Sequence, residues 1–230
     1  NWNWRASLHV VLLTVLINVL LSLLLGALLQ YISNMAGMRI IGSATETAIF
    51  GVAEVLFVIP LFLYSKILNI NRLQLGMYME TWRQGLVDVV SGGSVGLLMV
   101  PVSIFVSALN QLLLGPQPGG EYIREAFHAT SPLETVLLIS AVVFVIAPVE
   151  EIISRGFVQR GFEVSFGRWR GLVLASFMFS IMHLSLWSLL PLLLLGMMLG
   201  LVFRLRHGRI LTPVTSHAVY MISLVVIASS

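Results

Sequence analysis

Two carboxylates, a guanidinium and two imidazoles stand within or beside three apolar runs, as Glu150-Glu151-x-x-x-Arg155, His183 and His217. A charged side chain in a bilayer costs on the order of 2.5–3.5 kcal/mol on insertion scales. Ionisable groups placed there point to chemistry. Residues i and i+4 share a helix face, whereas adjacent residues point about 100° apart. Glu151 and Arg155 therefore pair, and Glu150 faces elsewhere without a local partner. Pro148 removes the helical hydrogen bond to the carbonyl of Phe144 and predicts a kink there. A carboxylate left free in a partly apolar place is suited to act as a general base near neutral pH.

His183 follows Arg170 by thirteen residues, roughly 20 Å of helix rise, which places it deep in the membrane. His217 follows Arg209 by eight, roughly 12 Å. Pro213 lies one turn before it and Met221 one turn after. Thr212, Thr215, Ser216 and Tyr220 give that helix a polar stripe. Each histidine alone can also read as a core or helix–helix hydrogen-bonder. Together with Glu150 they support two chemistries. Glu150 and His183 could activate a water while His217 stabilises an oxyanion. The same three could hold Zn²⁺ as a two-His, one-carboxylate site with an open position. The His-Glu-x-x-His helix of many zinc proteases is absent. A Zn site at Glu150, His183 and His217 stays open on sequence, and no other cofactor is expected.

These residues need a bundle to position them. The chain has 230 residues, 58% hydrophobic and 10% charged, with mean hydropathy +0.97. Soluble domains carry about 25% charged residues. The expected fold is all-α, a polytopic membrane bundle of about seven helices. They cover Ser7–Tyr31, Thr47–Ile67, Leu86–Leu114, Pro132–Ile153, Gly171–Leu186, Leu189–Phe203 and Ile210–Ser229. Residues 1–131 would carry the first three, with an interfacial stretch at Asn69–Arg83 and an extracytoplasmic loop at Gly115–Ser131. Residues 132–230 would form a four-helix core that holds the chemistry.

Charge orients the bundle. With a cytoplasmic N-terminus, one side carries Arg5, Lys66, Arg72, Arg83, Arg155, Arg160, Arg168, Arg170, Arg204, Arg206 and Arg209, and the other only Arg39 and Arg124. Positive charge gathers on the cytoplasmic side. The expectation is N-terminus in and C-terminus out, in a bacterial cytoplasmic membrane. Because the basic residues cluster at span ends, the net charge of +3 is explained without nucleic acid. Without cysteine there are no disulfides and no thiolate catalysis. Asn1 in place of Met suggests further residues upstream. Gly92-x-x-x-Gly96 and Gly196-x-x-x-Gly200 predict close helix contacts within the chain.

The order Glu-Glu-x-x-x-Arg, Phe-x-x-x-His and a final-helix His resembles the CPBP (CAAX protease and bacteriocin-processing) family. These are intramembrane glutamic endopeptidases related to the type II CAAX prenyl endopeptidases. The resemblance spans about Pro132–Ser229. It implies that Glu150 and His183 activate the attacking water and that His217 stabilises the oxyanion. It gives Glu151, Arg155 and Phe179 structural roles. The family often has Asn one turn after the last His, where this chain has Met221, which donates no hydrogen bond. The implied function is hydrolysis of a membrane-associated peptide or protein tail. The alternative is a non-catalytic binding, immunity or assembly subunit. Glu54, in mid-span, could support the site residues or carry a proton but reads first as a hydrogen-bonded packing residue. Asp88 reads as interfacial, and His9, His128 and His207 receive no role.

Overall fold

In the computed structural model, residues 2–37, 42–118 and 120–229 are described. Asn1, Arg39, Gly119 and Ser230, used above for topology and loops, lie outside them. All regular structure among the described residues is helical. The helices are α1 (Trp4–Ala36), α2 (Ser43–Ile67), α3 (Trp82–Leu114), α4 (Gly120–Phe127), α5 (Pro132–Phe166), α6 (Arg168–Met182), α7 (Leu186–Leu205) and α8 (Leu211–Ser229). Six of them, all but α4 and α6, are long and apolar enough to cross a membrane. The expected count of about seven is close to this.

The difference lies in α6. Its 15 residues rise roughly 22 Å, short of a hydrocarbon core of about 30 Å. The expected span Gly171–Leu186 is cut at Met182 because the chain turns there. Leu184 takes a left-handed φ of 52°, and the Ser185 hydroxyl caps α7 by accepting from the Ser188 N–H at 3.2 Å. His183 is thus the C-terminal cap of α6 rather than a residue inside a helix.

Helix α5 departs in the other direction. The expected span ended at Ile153, yet the helix continues to Phe166 past Arg155 and Arg160. Two wide π-helical stretches, Val142–Ile146 and Ile152–Gln159, make this possible. The first takes up the register just before Pro148, whose ring would otherwise collide with the preceding turn. The second loosens its own hydrogen-bond ladder, and donors from the start of the chain serve its carbonyls. Trp2 Nε1 donates to the Phe157 carbonyl at 2.8 Å and Ser7 Oγ to that of Val158 at 3.3 Å. The Trp2 ring stacks on Phe157 at 5.0 Å.

Both glycine pairs serve packing within the chain, as expected. A Cβ on Gly92 would lie 2.7 Å from the Thr212 carbonyl, and one on Gly96 2.5 Å from that of Ser216, so α3 and α8 meet backbone to backbone. Gly196 lets α7 reach Ser176 and Phe179 of α6.

One end of the bundle is basic and tightly tied. Asp88 is buried rather than interfacial. Its carboxylate accepts from Arg206 Nε at 2.8 Å, Arg209 Nε at 2.7 Å and Arg209 Nη2 at 3.0 Å. Those hydrogen bonds hold the Arg209 proton above its ordinary range. Arg160 Nη2 donates to the Gly208 carbonyl at 2.8 Å, and Arg204 lies over Trp169 at 4.5 Å. Arg155, counted above among the charges of this side, is instead fully buried in mid-bundle. At the opposite end the Trp187 indole donates to the Gly115 carbonyl at 3.2 Å, and His128 Nδ1 donates to that of Ala228 at 2.6 Å.

Candidate active site

The widened second half of α5 turns Glu151 and Arg155 inward. Glu151 Oε2 accepts from Arg155 Nε at 3.0 Å, and neither side chain is exposed. This is the i, i+4 pair the spacing predicts. The other oxygen, Oε1, lies 3.0 Å from His217 Nδ1. A carboxylate partner makes that nitrogen the donor. Glu151 therefore bridges two helices, fixing the Arg155 guanidinium and the His217 ring at once.

Phe179 supplies the floor. The Arg155 guanidinium lies 4.6 Å from its ring centroid. The two terminal nitrogens of Arg155 have no hydrogen-bond partner among the described residues, so the aromatic face takes much of the charge. The rings of His183 and His217 meet the same ring edge-on, at 5.0 and 6.2 Å. One aromatic residue thus touches three of the polar side chains singled out from sequence.

The two imidazoles are held in defined tautomers. His183 Nδ1 lies 2.9 Å from the Phe179 carbonyl. A carbonyl only accepts, so Nδ1 carries the proton and Nε2 keeps its lone pair when the ring is neutral. The bond also satisfies one of the carbonyls left open at the end of α6. In His217, Nδ1 is committed to Glu151 and Nε2 faces Glu150 Oε2 at 3.8 Å. With Nδ1 donating to Glu151, His217 Nε2 donates only as imidazolium. Glu150, Glu151 and Arg155 sum to one negative charge when both acids are ionised. One proton on His217 neutralises the group.

Glu150, His183 and His217 line one cavity of about 460 Å³, as the sequence reading required. Pro191, Leu192 and Leu195 of α7 and Phe50 of α2 give it apolar walls. Met221, one turn after His217, is also in the wall, so a side chain at that position does reach the site. Gln117, Phe127 and Trp187 line it as well. The cavity therefore extends toward the end of the bundle opposite the basic one. The Glu151–Arg155–His217 network stands between the cavity and the basic end.

Of the two readings of Glu54, packing residue or supporting partner of the site, the first meets no hydrogen-bond partner for Oε2 among the described residues. The side chain lines the same cavity. A lone carboxylate within the apolar stretch Thr47–Ile67 was its sequence signal. Thr14 and Ser154, which approach the site from behind, gave none, because hydroxyls are ordinary in membrane helices. No group of three His, Asp or Glu side chains among the described residues is arranged to hold a metal ion.

Comparison with known proteins adds one match. Residues 132–223, which hold Glu150, Glu151, Arg155, Phe179, His183 and His217, match the family model "Type II CAAX prenyl endopeptidase Rce1-like". Neither the curated proteins nor the solved structures gave a match. In this segment, where the motif order and the matched region coincide, the chain is similar to the Rce1-like, CAAX-protease-type membrane endopeptidases.

Proposed function

We propose that this protein hydrolyses a peptide bond of a membrane-associated protein tail, with a water activated by Glu150 and His183. The observation that carries the proposal is the shared cavity of Glu150, His183 and His217, with Glu151 and Arg155 locked behind it. Glu150 takes a proton from the water as its oxygen attacks the scissile carbonyl carbon. His183 Nε2, its lone pair free, accepts the second hydrogen of that water and aims it. The tetrahedral oxyanion forms near His217, whose imidazolium Nε2–H donates to it while Glu151 balances the charge. Glu150 then hands its proton to the leaving nitrogen. The C–N bond breaks to give an acid and an amine.

Both imidazoles hold Nδ1 on fixed partners and leave Nε2 open, which suits hydrogen bonding to water and would equally suit metal ligation. Because no three His, Asp or Glu side chains among the described residues are arranged around one point, we propose side-chain chemistry without a metal. A chelator should leave activity unchanged, and loss that is restored by Zn²⁺ would overturn this part. We further propose that the basic end is cytoplasmic, following the positive-inside bias. The apolar cavity walls suit an extended segment delivered from the bilayer.

Met221 favours a second reading, a binder of such tails that no longer cleaves them. Its thioether sits where the family often has an Asn, and it offers the oxyanion no donor. The test is cleavage of membrane-tethered peptides by the purified chain and by Glu150→Gln. Cleavage by the first and none by the second is expected. Tight binding without cleavage by either would establish the binder.

A further inference from the structure

Behind the main cavity lies a smaller chamber of about 80 Å³, lined by Thr14 and Asn18 of α1, Glu54 of α2, and Ser154 of α5. Glu150 and His183 line it too. Glu54, Glu150 and His183 therefore border both spaces. Three buried oxygens face this chamber without a hydrogen-bond partner among the described residues: Thr14 Oγ1, Glu54 Oε2 and Ser154 Oγ. Thr14 is 1% exposed and Ser154 3%. Buried polar groups in folded proteins are almost always satisfied, by protein or by ordered water. The wall also carries apolar Val15, Phe57, Ile153 and Met182, but a void with these oxygens on it and room for at least two waters, at about 30 Å³ each, supplies what they lack.

The placement is specific. Glu54 begins a one-turn 3₁₀ stretch, Glu54–Phe57, inside α2. Gly51, one turn earlier, allows α2 to sit against Ile146 of α5. The carboxylate thereby enters the wall beside Glu150. A group there borders both the chamber and the main cavity, beside Glu150 and His183 in each.

We propose that this chamber stores the water consumed in hydrolysis, and that Glu54 is a positioning residue that orients that water between Glu150 and His183. The inference rests on the hydrolytic reading above. Thr14 and Ser154 anchor the stored waters by their hydroxyls. Glu54 accepts from the water nearest Glu150 and holds its lone pair toward the scissile carbon. Each turnover removes one water from the chamber, and the next moves up along the same oxygens. No bond to Glu54 forms or breaks.

The kinetic test compares Glu54→Leu, Glu54→Gln and the double variant Thr14→Val with Ser154→Ala, using a membrane-tethered peptide cleaved by the unmodified chain. Glu54→Leu should lower kcat about 10²-fold, as expected for a misplaced reactant, with KM within twofold. Glu54→Gln, which still hydrogen-bonds, should recover part of that loss. The double variant should lose about tenfold. Thermal stability of Glu54→Leu should not fall, since no protein partner is lost, whereas a packing carboxylate would reveal itself by a lower Tm. A kcat within twofold for Glu54→Leu, alongside an inactive Glu150→Gln, would overturn the inference and leave the hydrolytic reading intact. Cleavage by Glu150→Gln at full rate would instead overturn the reading. An experimental structure that shows ordered waters decides the chamber without any activity. Density bridging Thr14, Glu54 and Ser154 is expected, and a dry chamber contradicts the proposal.

Discussion

The two ends of the bundle use charge in opposite ways. At the basic end the charges are tied into the bundle: Asp88 accepts three hydrogen bonds from Arg206 and Arg209, and Arg160 donates to a backbone carbonyl, although Arg160 Nε and Arg204 Nη2 have no hydrogen-bond partner among the described residues. Around the cavity, Glu150 comes no closer than 3.8 Å to His217, and Glu54 Oε2 and two hydroxyls are unpartnered among the described residues. A network of paired charges holds helices together. Unsatisfied groups beside a cavity cost stability and keep their valences open for water and substrate. The Glu151–Arg155–His217 network marks the boundary between the two regimes, since it is buried and paired yet orients a residue of the cavity.

Substitutions should therefore separate stability from chemistry along this boundary. The largest effect belongs to the basic end. Asp88→Ala strands two guanidinium groups and should cost about 3–5 kcal/mol, read as loss of folded protein in detergent or a large fall in Tm. At the boundary, Arg155→Ala leaves Glu151 with only His217, and both folded yield and activity should drop. Helix contact comes next. Gly96→Ala forces a Cβ against the Ser216 carbonyl and should cost about 1–3 kcal/mol, with peptide binding little changed. The smallest effect on stability is expected at the cavity. Met221→Asn should leave Tm within a degree or two. It should raise turnover about tenfold or more if the chain is a slow enzyme, because an oxyanion donor is worth 10²–10³ in rate at its best. Equal turnover by the two chains would show that another group fills the oxyanion role.

The helical bundle was legible because hydropathy runs of about twenty residues have few alternatives in a chain so poor in charge. The Glu151–Arg155 pair was legible because i, i+4 spacing is a local property of the helix. The glycine pairs were legible for the same reason. What was not legible depends on partners far away in sequence. Hydropathy ends the fourth span at Ile153, but Arg155 is tolerated inside the bundle by Glu151 beside it and the Phe179 face above it. Asp88 looks interfacial until residues more than a hundred positions later supply its arginines. The depth of His183 was read from helix rise. Its position at a helix end is set by the turn at Leu184, a bulky residue with left-handed φ that no turn rule selects. The end to which the cavity extends, and the place of Glu54 in its wall, follow from how α2 leans on α5.

The central claim is that Glu150 is the base of a hydrolytic site built on an already stable bundle. Glu150→Gln keeps size and removes the carboxylate without touching the Glu151–Arg155 pair. Product formation from membrane-tethered peptides and Tm should be measured together for the unmodified chain and this variant. Turnover of Glu150→Gln should fall at least 10²-fold, within the usual range for a general base, at unchanged Tm and unchanged peptide affinity. Turnover within twofold of the unmodified chain, at equal Tm, would contradict the claim.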